Sequence, residues 1–184
     1  MRKAVFLDRD GVINRTIFRN GKPRAPDRVE EFELFPGVPE AVARLRAAGF
    51  LIVVVTNQPD VARGWQTRAN VEAMNEIVQS RLGVDGIKVC YHVDGDGCPC
   101  RKPLPGMLVE AAAELGIDFG SSYMVGDRRG DIEAGRAAGC LASLWVESGP
   151  AVVSDFSADF SADFSADARV DSLSAATDWI LARG

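Results

Sequence analysis

The chain has 184 residues, 47% of them hydrophobic, and a formal net charge of -5 at pH 7. This length suits a single domain, residues 1–184, with a substantial buried core, and the acidic balance argues against non-specific binding to nucleic acid or an anionic membrane. No apolar run reaches the roughly 18 residues of a membrane helix, and because the first predicted strand begins at residue 4, we expect no signal peptide. We therefore expect a cytoplasmic monomer without nucleic-acid or membrane partners.

Apolar, strand-like runs alternate with helical patterns along the whole chain. The predicted strands are 4–7, 51–55, 87–91, 123–125 and 141–146, and the predicted helices are 36–48, 67–82, 104–115, 131–138 and 174–181. Residues 15–33 are polar and contain Gly and Pro, which predicts a loop or a small flap. Continuous apolar strands joined by helical crossovers indicate an α/β fold, a Rossmann-like doubly wound parallel sheet with helices on both faces.

A low-complexity segment at 154–167 interrupts this alternation near the end of the chain. The tetrapeptide Phe-Ser-Ala-Asp recurs three times in it, from Phe156 onward. A period of four residues is too short for a solenoid or propeller unit. We interpret the segment as a repeat expansion in a surface connection, and we assign it no chemistry.

Polar side chains follow four of the predicted strands. They are Asp8 and Asp10 after the first strand, Thr56 and Asn57 after the second, Lys102 after the third, and Asp127 with Asp131 after the fourth. Parallel strands bring their carboxyl ends to one edge of the sheet, where ligands bind in open α/β folds. A carboxylate nucleophile, a hydroxyl, an ammonium group and a distal carboxylate are the groups that phosphoryl transfer through an aspartyl-phosphate requires.

The chemistry of each group predicts its role. A bare carboxylate cannot approach an anionic phosphate without a cation, so we expect Mg²⁺, held in part by Asp127. Asp8 would attack phosphorus, and Asp10 would act as general acid and then as general base. Thr56 and Lys102 would bind phosphate oxygens.

Asp131 stays open between two roles at this stage, because a carboxylate one helical turn after Asp127 can be catalytic or can cap the helix.

A cluster of cysteines contains the only histidine of the chain. The spacing of Cys90, His92, Cys98 and Cys100 predicts a four-coordinate structural Zn²⁺ site in a loop at 90–100. We expect zinc to stiffen the loop that presents Arg101 and Lys102. We expect Cys140, far from the cluster, to be a core thiol.

Zinc loops also occur in interaction modules, which is the alternative class of function. The acidic charge and the lack of a basic stripe weigh against nucleic acid as the partner of such a module.

The motif order resembles that of the haloacid dehalogenase superfamily of phosphatases over nearly the whole chain. Asp8-Arg9-Asp10-Gly11-Val12 is similar to its first motif, Thr56 to its second, Lys102 to its third, and Gly126-Asp127-x-x-x-Asp131 to its fourth. The Cys and His loop resembles that of the zinc-loop branch, subgroup IIIA, which lacks a large cap domain.

The resemblance implies Mg²⁺ ligation by Asp8, Asp10 and Asp127. It implies substrate contacts from Arg9, Thr16, Arg19, Asn57, Gln58, Arg101 and Arg128.

Two branches of the zinc-loop phosphatases are similar to this chain. One acts on a heptose bisphosphate, a sugar phosphate, and the other on histidinol phosphate. The five-residue spacing between His92 and Cys98 resembles the second branch, whereas the segments at 62–64 and 105–108 resemble the first, which we favour. Arg128 stands where the heptose branch has Lys, and Asp60 lies where that branch has a small residue. A phosphotransferase or phosphomutase is a further alternative, and a non-catalytic member would be expected to lack Asp8 or Asp10.

Overall fold

A computed structural model describes residues 1–19, 21–147 and 166–183. Its strands are β1 (Ala4–Leu7), β2 (Ile17–Arg19), β3 (Lys22–Arg24), β4 (Leu51–Asn57), β5 (Gly86–Cys90), β6 (Tyr123–Gly126), β7 (Ala142–Val146) and β8 (Ala168–Val170). Its α-helices are α1 (Val38–Ala47), α2 (Arg68–Leu82), α3 (Gly106–Leu115), α4 (Arg129–Ala138) and α5 (Leu173–Leu181). Short 3₁₀ turns cover Val29–Glu31 and Phe119–Ser121.

The main sheet has six strands in the order β5-β4-β1-β6-β7-β8, and every neighbouring pair is parallel. This is the strand order of a doubly wound fold, and it confirms the predicted α/β class. The order reverses between β1 and β6, which makes the crevice at their carboxyl ends the expected position for a ligand.

The sheet is buried on both faces, which explains the unbroken apolar runs of its strands. All four residues of β1 are 0% exposed. One face packs against α1, α2 and α5, and the other packs against α3 and α4. Burial of apolar surface on both sides of a parallel sheet is the main stabilising contribution in folds of this kind.

Both ends of α2 are capped at the bounds of the helix predicted at 67–82. Thr67 accepts a hydrogen bond from the amide of Asn70 at 3.2 Å, as expected for an N-cap residue. Gly83 ends α2 with a left-handed backbone at φ 59°, a conformation that glycine adopts without steric cost.

Several element boundaries differ from the sequence predictions. The segment at 15–33 contains the antiparallel hairpin of β2 and β3, whose three-residue strands are too short to give a periodic signal. Strand β8 was not predicted, for the same reason. Helix α3 begins at Gly106 instead of 104, because Leu104 closes a turn onto the carbonyl of Arg101.

Residues 154–165 of the predicted repeat lie outside the described residues. No helix in the described ranges is both long enough and apolar enough to cross a membrane.

Candidate active site

Four strand ends bring their polar side chains together at the carboxyl edge of the sheet. Lys102 lies at the centre of this group, with its side chain 3% exposed. Its Nζ donates to Asp8 Oδ1 at 2.6 Å and to the carbonyl of Val55 at 2.7 Å, and it lies 2.6 Å from Asp131 Oδ1. These three acceptors match the three donors of an ammonium group.

Three carboxylates gather around this lysine. One oxygen from each of Asp8, Asp127 and Asp131 lies within 4.8 Å of the other two. Burial and the neighbouring Asp131 and Asp10 raise the pKa of Asp8 to about 6, against the opposing effect of Lys102. Burial and the charge of Asp8 raise the pKa of Asp127 well above its ordinary value. The surroundings of Asp8 and Asp127 therefore disfavour the ionised form of each side chain.

The cluster fits a hard divalent cation. Carboxylate oxygens are the ligands that Mg²⁺ prefers, and Asp127 Oδ1 is buried without a hydrogen-bond partner. Gly11 of the first motif lies close to the side chain of Asp127. A Cβ added at Gly11 would lie 2.1 Å from Asp127 Oδ2. Gly11 also has φ +95°, so a side chain at this position would be strained and would displace the carboxylate.

The side chain of Asp10 lies outside this cluster of Asp8, Asp127 and Asp131. Its Oδ1 accepts from Asn14 Nδ2 at 2.9 Å, and its Oδ2 accepts from Gln58 Nε2 at 2.7 Å. Although burial alone would raise its pKa, the charge of Arg9 and these hydrogen bonds lower the pKa of Asp10 below its ordinary value. The third carboxylate of the cluster comes from Asp131, and ligation of Mg²⁺ by Asp10 stays a prediction.

The structure shows the capping role of Asp131 and places its other carboxylate oxygen against Lys102. Its Oδ2 accepts from the amide of Arg128 at 2.9 Å and so caps the first turn of α4, while its Oδ1 pairs with Lys102. An added Cβ at Gly126 would lie 2.1 Å from the Cβ of Asp131. The glycine that ends β6 therefore makes room for this carboxylate.

Arg9 and Gln58 face inward, unlike the surface residues that a ligand usually contacts. Arg9 is 0% exposed and Gln58 is 2% exposed. The Arg9 guanidinium contacts both carboxylate oxygens of Asp10 and so supports Asp10, while its contact with substrate stays a prediction. Gln58 also donates to Thr56 Oγ1 at 2.9 Å, which connects the hydroxyl predicted to bind phosphate with Asp10.

Asn57 binds the main chain of Lys102 on both sides. Its Oδ1 accepts from the Lys102 amide at 3.2 Å, and its Nδ2 donates to the Lys102 carbonyl at 3.1 Å. The end of β4 thereby fixes the loop that carries the lysine. This geometry gives Asn57 a clear positional role beside its predicted contact with substrate.

The predicted zinc ligands converge in the structure. The Sγ of Cys90 lies 3.8 Å from the Sγ of Cys98 and 3.0 Å from that of Cys100, and His92 Nδ1 lies 3.6 Å from Cys90 Sγ. A tetrahedral Zn²⁺ with Zn–S bonds of about 2.3 Å separates its ligands by about 3.8 Å, so these residues fit the ion.

The electrostatics of the thiols also favour a cation. Burial and the two neighbouring sulfurs raise the pKa of Cys100 to about 12, a repulsion that a bound divalent cation relieves. Cys140 lies apart from the cluster and packs at the edge of the core beside α3 and α4, in agreement with its prediction.

The remaining predicted substrate residues lie at the surface of this region. Arg101 donates to Asp94 at 2.8 Å and to the carbonyl of His92 at 3.3 Å, so its side chain holds the zinc loop. Arg128 Nε lies 3.9 Å from Asp127, with the side chain 55% exposed. Thr16 precedes the hairpin of β2 and β3.

Arg19, the last of the predicted substrate residues, lies in β2. It pairs with Asp27 and lies 3.5 Å from Glu31. Its guanidinium is therefore already shared between two carboxylates of the same flap.

Sequence reasoning missed two residues of this site, Asn14 and Asn75. Asn14 supports Asp10 from two residues beyond the end of the first motif. Asn75 lies in α2, 66 residues from its partner Arg9. The one available signal was a polar residue on the apolar face of α2.

Comparison with known proteins defines the class of the fold and site. The sequence model of the haloacid dehalogenase-like hydrolases matches residues 14–139, which is more than half of the chain. The chain belongs to this family of hydrolases, as its motif order predicted.

Relatives whose enzyme activity is named align with most of this chain. The D-glycero-beta-D-manno-heptose-1,7-bisphosphate 7-phosphatase of Pasteurella multocida (strain Pm70) is 37% identical over 84% of this chain and 87% of that protein. The protein of the same name from Pseudomonas aeruginosa is 41% identical over 82% of this chain and 84% of its own length. The crystal structure of D,D-heptose 1,7-bisphosphate phosphatase from B. bronchiseptica, complexed with magnesium and phosphate, has a TM-score of 0.83 at 31% identity and covers 99% of both chains.

Proposed function

We propose that the protein is a magnesium-dependent phosphatase that removes the 7-phosphate of D-glycero-D-manno-heptose 1,7-bisphosphate through an aspartyl-phosphate on Asp8. The arrangement of Asp8 beside Lys102, Asp127 and Asp131 at the switch point of the sheet is the observation that carries the proposal. The names of the similar proteins support the choice of substrate.

Asp8 and Asp10 act together in both chemical steps. In the first step a carboxylate oxygen of Asp8 forms a bond to phosphorus while the bond from phosphorus to the sugar oxygen breaks, and Asp10 gives its proton to that oxygen. In the second step Asp10 takes a proton from water as the water oxygen attacks phosphorus, which frees Asp8. A bound phosphate raises the pKa of a nearby carboxyl, which favours a protonated Asp10 for the first step.

The other groups of the site stabilise charge. Lys102 holds Asp8 Oδ1 and would place its positive charge beside the phosphate oxygens, where the hydroxyl of Thr56 would also contribute. Asp8, Asp127 and Asp131 would hold Mg²⁺, which when bound neutralises the carboxylates and the phosphate. Arg128, at the mouth of the site, would attract the anionic substrate.

Zn²⁺ would have a structural role in this enzyme. Cys90, His92, Cys98 and Cys100 would hold it in a closed, four-coordinate site with no position left for substrate. The loop that they close leads directly into Lys102. We therefore assign zinc to the support of this loop.

Phosphate release from two substrates tests the proposal. The purified protein with Mg²⁺ would be assayed side by side on heptose 1,7-bisphosphate and histidinol phosphate, with ³¹P NMR to identify which phosphate leaves the heptose. We expect a higher kcat/KM on the heptose ester and release of the 7-phosphate. Preference for histidinol phosphate would overturn the substrate, and the short zinc-loop spacing is the feature that would then explain it. Absence of turnover on either ester would favour the non-catalytic alternative.

A further inference from the structure

Arg9 is a buried cation for which the proposed reaction has no direct use. Its side chain is 0% exposed, and isolating a charge from water costs several kcal/mol unless the charge is paired. Its partner is Asp10: the Arg9 terminal nitrogen Nη2 lies 3.2 Å from Asp10 Oδ1 and 3.1 Å from Asp10 Oδ2. The orientation of the Asp10 carboxylate therefore depends on how this guanidinium is held.

Helix α2 holds the other side of the guanidinium. The second terminal nitrogen, Nη1, donates to Asn75 Oδ1 at 2.9 Å. The ring of Phe32, which follows the 3₁₀ turn at Val29–Glu31, lies 5.7 Å from the guanidinium carbon. The Arg9 Nε is buried without a hydrogen-bond partner, so the two terminal nitrogens make the hydrogen bonds that fix this side chain.

We propose that Asn75 is a positioning residue for Asp10 and acts through Arg9. The amide oxygen of Asn75 fixes the plane of the guanidinium, and the guanidinium fixes the carboxylate that donates a proton to the leaving oxygen. The fork of an arginine can contact two partners at once, whereas an ammonium group cannot reproduce that geometry. This inference rests on the proposed role of Asp10 as general acid.

Dependence on the leaving group distinguishes proton donation from general damage to the site. A sugar oxygen is a poor leaving group and needs the proton, whereas 4-nitrophenolate is stable as an anion and leaves without it. Because kcat/KM reports the steps up to the first irreversible one, it isolates transfer to Asp8 from the later attack of water. The substrates are heptose 1,7-bisphosphate, phenyl phosphate and 4-nitrophenyl phosphate.

Asn75→Leu removes the acceptor for Arg9 and keeps the number and branching of the side-chain heavy atoms. General acids contribute about 10²–10⁴-fold to rate, so partial misplacement of Asp10 should lower kcat/KM about 10-fold or more on the heptose ester and less than about 3-fold on 4-nitrophenyl phosphate. Asn75→Asp keeps an acceptor oxygen and should retain the wild-type pattern. Arg9→Lys keeps the charge without the fork, and it should reproduce the selective loss even if Asn75→Leu does not fold.

Val78→Ala is the matched control on the same helix. Val78 is 0% exposed, and its truncation loosens α2 without removing a hydrogen bond to Arg9. We expect it to lower the melting temperature while changing kcat/KM on all three substrates by the same factor.

An equal loss on good and poor leaving groups in Asn75→Leu and Arg9→Lys would overturn the positioning role, as would the selective pattern in Val78→Ala. If the wild type hydrolyses only the two aryl esters, the proposal of a heptose substrate is overturned. Comparison of phenyl phosphate with 4-nitrophenyl phosphate would still decide the role of Asn75. A wild type inactive on all three esters would overturn both proposals.

Discussion

Lys102 is a buried cation between Asp8 and Asp131. Its removal would leave these two carboxylates without the positive charge that compensates them. Breaking a buried ion pair by removing one partner costs about 3–5 kcal/mol. We therefore expect Lys102→Met to lower the free energy of unfolding by about this amount in Mg²⁺-free buffer and to abolish turnover. Urea denaturation and a phosphatase assay measure the two effects.

Lys88 supplies the matched control because it also pairs with two carboxylates, Glu110 at 2.9 Å and Glu114 at 2.7 Å. Those glutamates are more than half exposed, and exposed pairs contribute only about 0–1 kcal/mol. Lys88→Met should therefore leave activity unchanged. Equal destabilisation by the two substitutions would contradict the central position that we give to Lys102.

At the scale of single residues, sequence alone predicts the groups that end a strand. Asp8, Thr56 and Asp127 each follow an apolar run, and parallel strands place such residues at one edge. It does not predict that the side chain of Asp131 lies beside those of Asp8 and Asp127, nor that Asn75 reaches Arg9. These outcomes depend on the distances between side chains of separate elements, which no local pattern encodes.

The zinc loop connects β5 to the lysine, and its ion is expected to affect catalysis indirectly. Removing zinc should allow the loop at 90–100 to open, which raises KM, lowers kcat and lowers the melting temperature, because closed zinc sites contribute directly to folding. A chelator selective for zinc over Mg²⁺, followed by metal analysis and kinetics, measures these effects. Readdition of zinc should return KM, kcat and the melting temperature to their original values.

Cys140→Ser is the control for this experiment, because Cys140 lies outside the four-residue cluster. It should retain the full zinc content and the wild-type kcat, whereas Cys100→Ser should lose both. Full activity in verified zinc-free protein would rule out the supporting role of zinc.

The elements themselves were predicted well where they are long and periodic. Helix α2 begins after Thr67 and ends before Gly83, as its capping residues indicated. The three-residue strands β2, β3 and β8 escaped prediction because each is defined by pairing with a neighbouring strand. In β3, Pro23 also weakens the strand signal.

The effect of Mg²⁺ on the thermal stability of the whole protein should depend on pH. The pKa of Asp8 is raised from 3.8 to about 6 in the folded state, so the native protein favours the protonated acid. This contribution to stability is fully present below pH 3.8 and is lost as the pH rises through about 6. Asp127 is shifted in the same direction and adds to the effect.

Mg²⁺ favours the ionised carboxylates and offsets this loss. We therefore expect the rise in melting temperature on addition of Mg²⁺ to be small near pH 5 and to grow as Asp8 ionises, through its pKa of about 6. Thermal melts with and without Mg²⁺ across this range, with zinc present throughout, measure it. In the Asp8→Asn variant, the rise in melting temperature on addition of Mg²⁺ should increase less with pH. A Mg²⁺ effect that does not change with pH would contradict the assignment of the ion to these carboxylates.

The central claim is that Asp8 is the nucleophile of a phosphatase, and Asp8→Asn tests it most directly. The amide keeps the shape of the carboxylate and removes its nucleophilic charge. We predict complete loss of phosphate release from heptose 1,7-bisphosphate, with unchanged zinc content and a melting temperature in Mg²⁺-free buffer that is equal to or above that of the wild type. Phosphate release by folded, zinc-loaded Asp8→Asn at a rate near that of the wild type would contradict the claim.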